Sequence, residues 1–99
     1  MADEKITVLA QIKAKPGQEE NLKKLALGLV EPTRKEAGCI SYDLHEDIAI
    51  KASFMFYENW KNKFVLDEHI RTAHLQNFKA KAGDLLAEPL NVTIWKKLS

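Results

Sequence analysis

Residues 39–59, CISYDLHEDIAIKASFMFYEN, hold two alternating runs with no helical pattern between them, and the fold turns on this stretch. In Cys39 to Glu46, Ile40, Tyr42 and Leu44 alternate with Cys39, Ser41, Asp43 and His45. In Ala52 to Asn59, Phe54, Phe56 and Glu58 alternate with Ser53, Met55 and Tyr57. A period of two sends successive side chains to opposite faces of a strand. The intervening residues Asp47 to Lys51 lack the Asn-Gly or Asp-Gly of a tight turn, so a longer loop is expected to join two antiparallel strands.

Working outward, residues 5–15 alternate with Ile6, Val8, Ala10, Ile12 and Ala14 on one side, which predicts a first strand. Pro16-Gly17 punctuates the chain, with Gly17 as the expected N-cap and Glu20 at the third helical position. Leu22, Leu25, Ala26, Leu29 and Val30 then form one helical stripe. Pro32 removes a backbone bond to residue 28, a glycine, so the pattern predicts a kinked helix running to about Ala37 and stopped by a left-handed Gly38. On the far side of the hairpin, a short helical segment from Trp60 to Leu66 precedes a second run capped at Asp67 or Thr72. Its buried stripe is Leu75, Phe78, Ala82, Leu85 and Leu86, and Glu88-Pro89 ends it. Asn91 to Leu98 alternates as a fourth strand. The order β-α-β-β-α-β is the split βαβ, an α+β ferredoxin-like arrangement with both helices on one face of a four-stranded antiparallel sheet.

Helices can cover only one face, yet Leu9, Met55, Tyr57 and Trp95 share the opposite parity. An open apolar face invites association, and a second copy of the chain is the expected cover. A chain of 99 residues, 45% hydrophobic and 29% charged, is sized for one domain spanning residues 1–99. A net charge of +1 without a basic stripe argues against a nucleic-acid partner. The single cysteine excludes an internal disulfide, and Cys39 reads as a small packing residue. The acidic start from Met1 to Lys5 does not resemble a secretory leader, and no apolar run spans a membrane. A cytoplasmic location is therefore expected.

The run from Phe54 to Trp60, followed by Asp67-Glu68-His69-Ile70-Arg71-Thr72-Ala73-His74 and Phe78, resembles the antibiotic biosynthesis monooxygenase family. In that family an aromatic strand ending in Tyr-Glu-x-Trp leads into a helix bearing His-x-x-(Ser/Thr)-x-His and a following Phe. The resemblance implies a dimeric α+β barrel with a pocket between sheet and helices. Activities in such proteins include cofactor-independent oxidation of hydroxyaromatics or quinols by dioxygen, haem degradation, and isomerisation of a phosphorylated signalling-sugar derivative. Fold alone does not choose among them. Haem-degrading relatives pair the histidine matching His74 with a tryptophan ten residues earlier and an asparagine on strand one. This chain has Phe64 there and only Gln11 as a strand-one amide.

The leading expectation is a cofactor-free monooxygenase acting on a quinol or small hydroxyaromatic. Such an enzyme needs a base in a water-poor pocket. His69 and His74 are the candidates, with Glu58 orienting one of them or acting as base itself if burial raises its pKa. Tyr57, Trp60, Phe64 and Phe78 would supply flat apolar walls. Each has a structural alternative: Phe64 and Phe78 as core residues, Trp60 as an anchor of the strand-to-helix corner, Glu58 as a helix-start acceptor, and the histidines as hydrogen-bonding groups. An isomerase or lyase acting on a phosphorylated or carbonyl compound, and a non-catalytic binding dimer, are the competing functions. No metal is expected, because a spacing of five on one continuous helix sets two imidazoles ~140° apart around its axis. His45, on strand two, is the one further histidine that could join them.

Overall fold

The computed structural model describes residues 4–99, so Met1, Ala2 and Asp3 of the acidic start lie outside the described residues. The chain runs β1 (Ile6–Lys13), α1 (Glu19–Leu27), α2 (Val30–Arg34), β2 (Cys39–Glu46), β3 (Ser53–Trp60), α3 (Lys63–Ile70), α4 (Ala73–Ala82) and β4 (Asn91–Lys96). The four strands form one antiparallel sheet in the order β2-β3-β1-β4. This is the α+β ferredoxin-like arrangement expected from the element order.

Register decides what faces the helices. Val8 lies opposite Glu58 and Ile94, Ala10 opposite Phe56 and Val92, and Tyr42 opposite Glu58. These residues share the inner face with Ile12, Phe54 and Trp60, and Leu22, Ala26, Leu29, Leu66, Leu75 and Phe78 pack down on them as the core. A bulge between Cys39 and Ser41 turns Ile40 away from the parity of Tyr42 and Leu44, and it lies exposed. The outer face carries Leu9 and Met55, half-buried, and Tyr57 and Trp95, exposed in the single chain, with Trp95 56% exposed.

The first helical stretch is divided rather than kinked. Pro32 has no N–H to give the Gly28 carbonyl, and Leu29 N–H turns back to Ala26 O at 3.0 Å, a three-residue spacing that closes α1. α2 then ends at Arg34, short of Ala37. Gly17 has φ of +88° and precedes the cap position Gln18, whose side chain makes no capping bond. Gly38 is not left-handed, since Gly17 alone among the described glycines has positive φ. Its glycine character answers to a neighbour instead: a Cβ there would stand 2.5 Å from Val65 Cγ1 on α3.

α3 starts after Trp60, which completes β3, and is capped by Asn62 Oδ1 accepting from Val65 N–H at 3.0 Å. Thr72 caps α4. α4 stops at Ala82, short of Leu85 and Leu86, because those residues leave the helix for the segment just after β1: Lys15 N–H donates to Leu85 O, and Leu86 bridges Ala14. Among the described residues no helix is long and apolar enough to cross a membrane.

The Gly38–Val65 contact yields a test of the packing. Gly38→Ala should destabilise the protein by about 1–3 kcal/mol through overpacking. Combined with Val65→Ala, the loss should be smaller than the sum of the two single changes. Urea denaturation of the three variants measures both quantities, and additive losses would show that the contact is not what fixes Gly38.

Candidate functional site

Glu58 projects from the C-terminal half of β3 onto the inner face and is only 3% exposed. Its Oε1 accepts from Trp60 Nε1–H at 2.9 Å, a bond between side chains two residues apart on the same face of one strand. Burial pushes the carboxyl up to about 7; the Trp60 bond pulls the other way and the Glu36 charge adds to the rise.

His69 lies in the last turn of α3 and His74 in the first turn of α4. Between them the chain breaks at Arg71-Thr72, where Thr72 Oγ1–H donates to His69 O at 2.7 Å. The continuous helix assumed in setting the imidazoles far apart is therefore absent, and the two rings converge. Glu36, in the turn after α2, offers a single oxygen to both. Oε2 accepts from His69 Nδ1 at 2.7 Å and from His74 Nε2 at 2.7 Å. A carboxylate oxygen only accepts, so each of these nitrogens carries the hydrogen. Burial holds the His69 pKa below its ordinary value; the Glu36 contact opposes this, while His74 and Lys79 reinforce it. The neutral ring then presents Nε2 with a free lone pair. That ring packs against Trp60, at 4.6 Å between centroids, and Tyr42, at 5.7 Å, which also touch each other at 6.4 Å.

Glu58 and His69 line one cavity of about 190 Å³ between the β1–β4 half of the sheet and helices α3 and α4. Phe56, Leu66, Leu75, Phe78, Val92 and Ile94 make most of its wall, with Tyr42 inside and Lys79 at the edge. The helices leave β4 partly open, so Val92 and Ile94 remain half-exposed on this face. The volume is close to that of an engineered cavity of ~150 Å³ that holds benzene, and suits a single ring.

The site residues expected from sequence fall into three groups. Glu58, His69 and Phe78 meet at the cavity, Phe78 standing edge-on to Phe56 at 6.2 Å. Trp60 and His74 lie behind it: Trp60 is fully buried beneath His69, and His74 borders a shallow groove with Asn77 and Lys81. Tyr57 and Phe64 lie elsewhere. Tyr57 is on the outer sheet face because its parity is opposite to Glu58, and Phe64 is 69% exposed on α3. His45 stands beside Tyr57 on that outer face, remote from the other histidines. The Cys39 thiol is pushed up to about 11, mainly by burial, which leaves it a poor nucleophile. Sequence reading missed Glu36, which sits 33 and 38 residues from its partners and carries no local signal. Tyr42 and Lys79 were also missed, although the register of Tyr42 against Glu58 was implicit in the alternation.

The sequence profile of the antibiotic biosynthesis monooxygenase family matches residues 5–81. A protein of Mycobacterium tuberculosis named "Putative monooxygenase Rv0793" is 35% identical over 89 residues, covering 90% of this chain and 87% of that protein. Its solved structure has a TM-score of 0.91 over 96% of both chains at 33% identity. The structure of PA3566 from Pseudomonas aeruginosa gives a TM-score of 0.93 at 32% identity, covering 100% of this chain and 99% of that one. An uncharacterized protein of Synechocystis, sll1783, is 42% identical over 95 residues; this chain is 96% covered and spans 65% of that protein's length. The chain belongs to the antibiotic biosynthesis monooxygenase family.

Glu58 makes stability pH-dependent. Its folded pKa of about 7 lies above the ordinary 4.5, so its contribution is fully present below pH 4.5 and is lost as pH rises through 7. At ~1.4 kcal/mol per pKa unit the loss is about 3 kcal/mol. Glu58→Gln keeps an acceptor for Trp60 but cannot titrate, so the stability gap between variant and wild type should widen in the variant's favour from pH 5 to pH 8. Urea denaturation across that range measures it, and parallel curves would refute the shift.

Proposed function

We propose that the whole chain is one oxygenase domain that oxidises a monocyclic quinol or small hydroxyaromatic with dioxygen and no cofactor. The observation that supports this most is the presentation of Glu58 and His69 to a single apolar cavity of about 190 Å³. His69 Nε2 takes the phenolic proton, with Glu36 fixing the tautomer from the far side of the ring. The electron-rich phenolate can then reduce dioxygen where the neutral phenol cannot, and the apolar wall keeps competing water out. Oxygen adds at a ring carbon, and the peroxide O–O bond breaks. One oxygen stays on the ring as that carbon loses its hydrogen, and the other leaves as water with this hydrogen and the proton returned from imidazolium, so quinol and O₂ give hydroxyquinone and H₂O. Glu58, near its midpoint at neutral pH, holds the second hydroxyl or shares the proton traffic. Tyr57 and Phe64 have no part in this reading.

The enzyme acts as a cytoplasmic homodimer, its partner covering the outer face at Leu9, Met55, Tyr57 and Trp95. Lys79 at the cavity edge supports a second reading, an isomerase or lyase acting on an anionic carbonyl or phosphorylated compound with the same acid and base.

Oxygen uptake with a panel of monocyclic quinols tests the first reading. His69→Ala should lose about 10²–10⁴-fold in kcat, the usual worth of a general base, and His74→Ala should lose less. No turnover above background, or turnover untouched by His69→Ala, would sink it, and turnover under anaerobic conditions would favour the second. Sedimentation of wild type as a dimer and of Trp95→Asp as a monomer checks the assembly; a wild-type monomer would overturn it.

A further inference from the structure

We infer that Glu36, His69 and His74 form a binding site for one divalent transition-metal ion. Glu36 Oε2, His69 Nδ1 and His74 Nε2 all lie within 4.8 Å of one another. Each nitrogen is 2.7 Å from the carboxylate oxygen. Metal–ligand bonds of ~2.1 Å at the tetrahedral angle set donors ~3.4 Å apart, so each nitrogen–oxygen pair need open by only ~0.7 Å. The remaining adjustment, bringing the two nitrogens together, falls to His74. That side chain is 26% exposed in the first turn of α4, whereas His69 is 4% exposed and packs against Trp60 and Tyr42.

The three ligands come from three separate segments, which limits how far the set can spread. Two imidazoles and a single carboxylate favour Zn²⁺, Fe²⁺ or Co²⁺ over Ca²⁺ or Mg²⁺, which take oxygen ligands. An ion can arrive by the groove beside Asn77 and Lys81 without crossing the apolar cavity. Protons and metal compete for the same atoms. Without metal, both nitrogens carry hydrogen toward Glu36; with metal, both offer it lone pairs, and in each neutral ring the hydrogen moves to the other nitrogen. On His69 that other nitrogen is Nε2, so an acceptor becomes a donor. On the oxygenase reading above, which this consequence alone assumes, the ion withdraws the base and inhibits turnover.

Protein stripped of metal is titrated with Zn²⁺ and Co²⁺ by calorimetry, with metal content checked after dialysis. One ion per chain at micromolar affinity or tighter is expected, weakened at least about tenfold by Glu36→Gln or His74→Ala and unaffected by His45→Ala. Absence of saturable binding, or binding indifferent to both ligand changes, overturns the site. Imidazole ¹⁵N spectra of the wild type keep the question open to refutation if a variant fails to fold: both His69 and His74 must shift together as Zn²⁺ is added, and if either stays unchanged the assignment falls. Zinc inhibition of oxygen uptake is read separately, so a protein with no oxygenase activity leaves the binding result standing.

Discussion

One carboxylate oxygen holds the helical layer in order. Glu36 Oε2 accepts from His69 on α3 and from His74 on α4, and Glu36 itself belongs to the turn that carries the chain from α2 into β2. Three segments far apart in sequence are thus tied at a mostly buried point. Hydrogen bonds to a charged group contribute roughly 1.5–3 kcal/mol, and leaving such a group buried and unpaired costs more. The break between α3 and α4 at Thr72 allows the convergence, and the convergence makes the break worth keeping.

The same bond links structure to chemistry. By occupying His69 Nδ1, Glu36 determines which nitrogen is left for the cavity, while Trp60 and Tyr42 fix the plane of the ring. Across the cavity Glu58 is held by Trp60, so one tryptophan orients both titratable groups, donating to the carboxylate and stacking near the imidazole. Burial moves the two groups in opposite directions, the carboxyl up to about 7 and the imidazole down, because it disfavours whichever form is charged.

The sheet has a different use on each side. Inner residues of β1, β2 and β3 are sealed by helices, whereas β4 is covered only in part, and the cavity occupies that uncovered corner. On the outer face Thr7, Asn59 and Ser41 form a hydrogen-bonded row across three strands beside the exposed Tyr57 and Trp95.

Sequence alone determined the architecture, because periods of two and of 3.6 are written residue by residue and their order admits few topologies. It singled out Glu58, His69 and Phe78 through the family resemblance, with strand parity turning Glu58 and a helix stripe turning Phe78 toward the interior. Where it failed, the deciding partner lay far along the chain. Gly38 answers to Val65 and not to a helix stop; Leu85 and Leu86 leave α4 to meet Ala14 and Lys15; and Glu36 matters through residues more than thirty positions away. Strand parity already turned Tyr57 off the cavity, whereas tertiary packing alone left Phe64 outside it and brought the two histidines together. Local pattern fixes which face a side chain takes, but only the docking of elements fixes what it meets there.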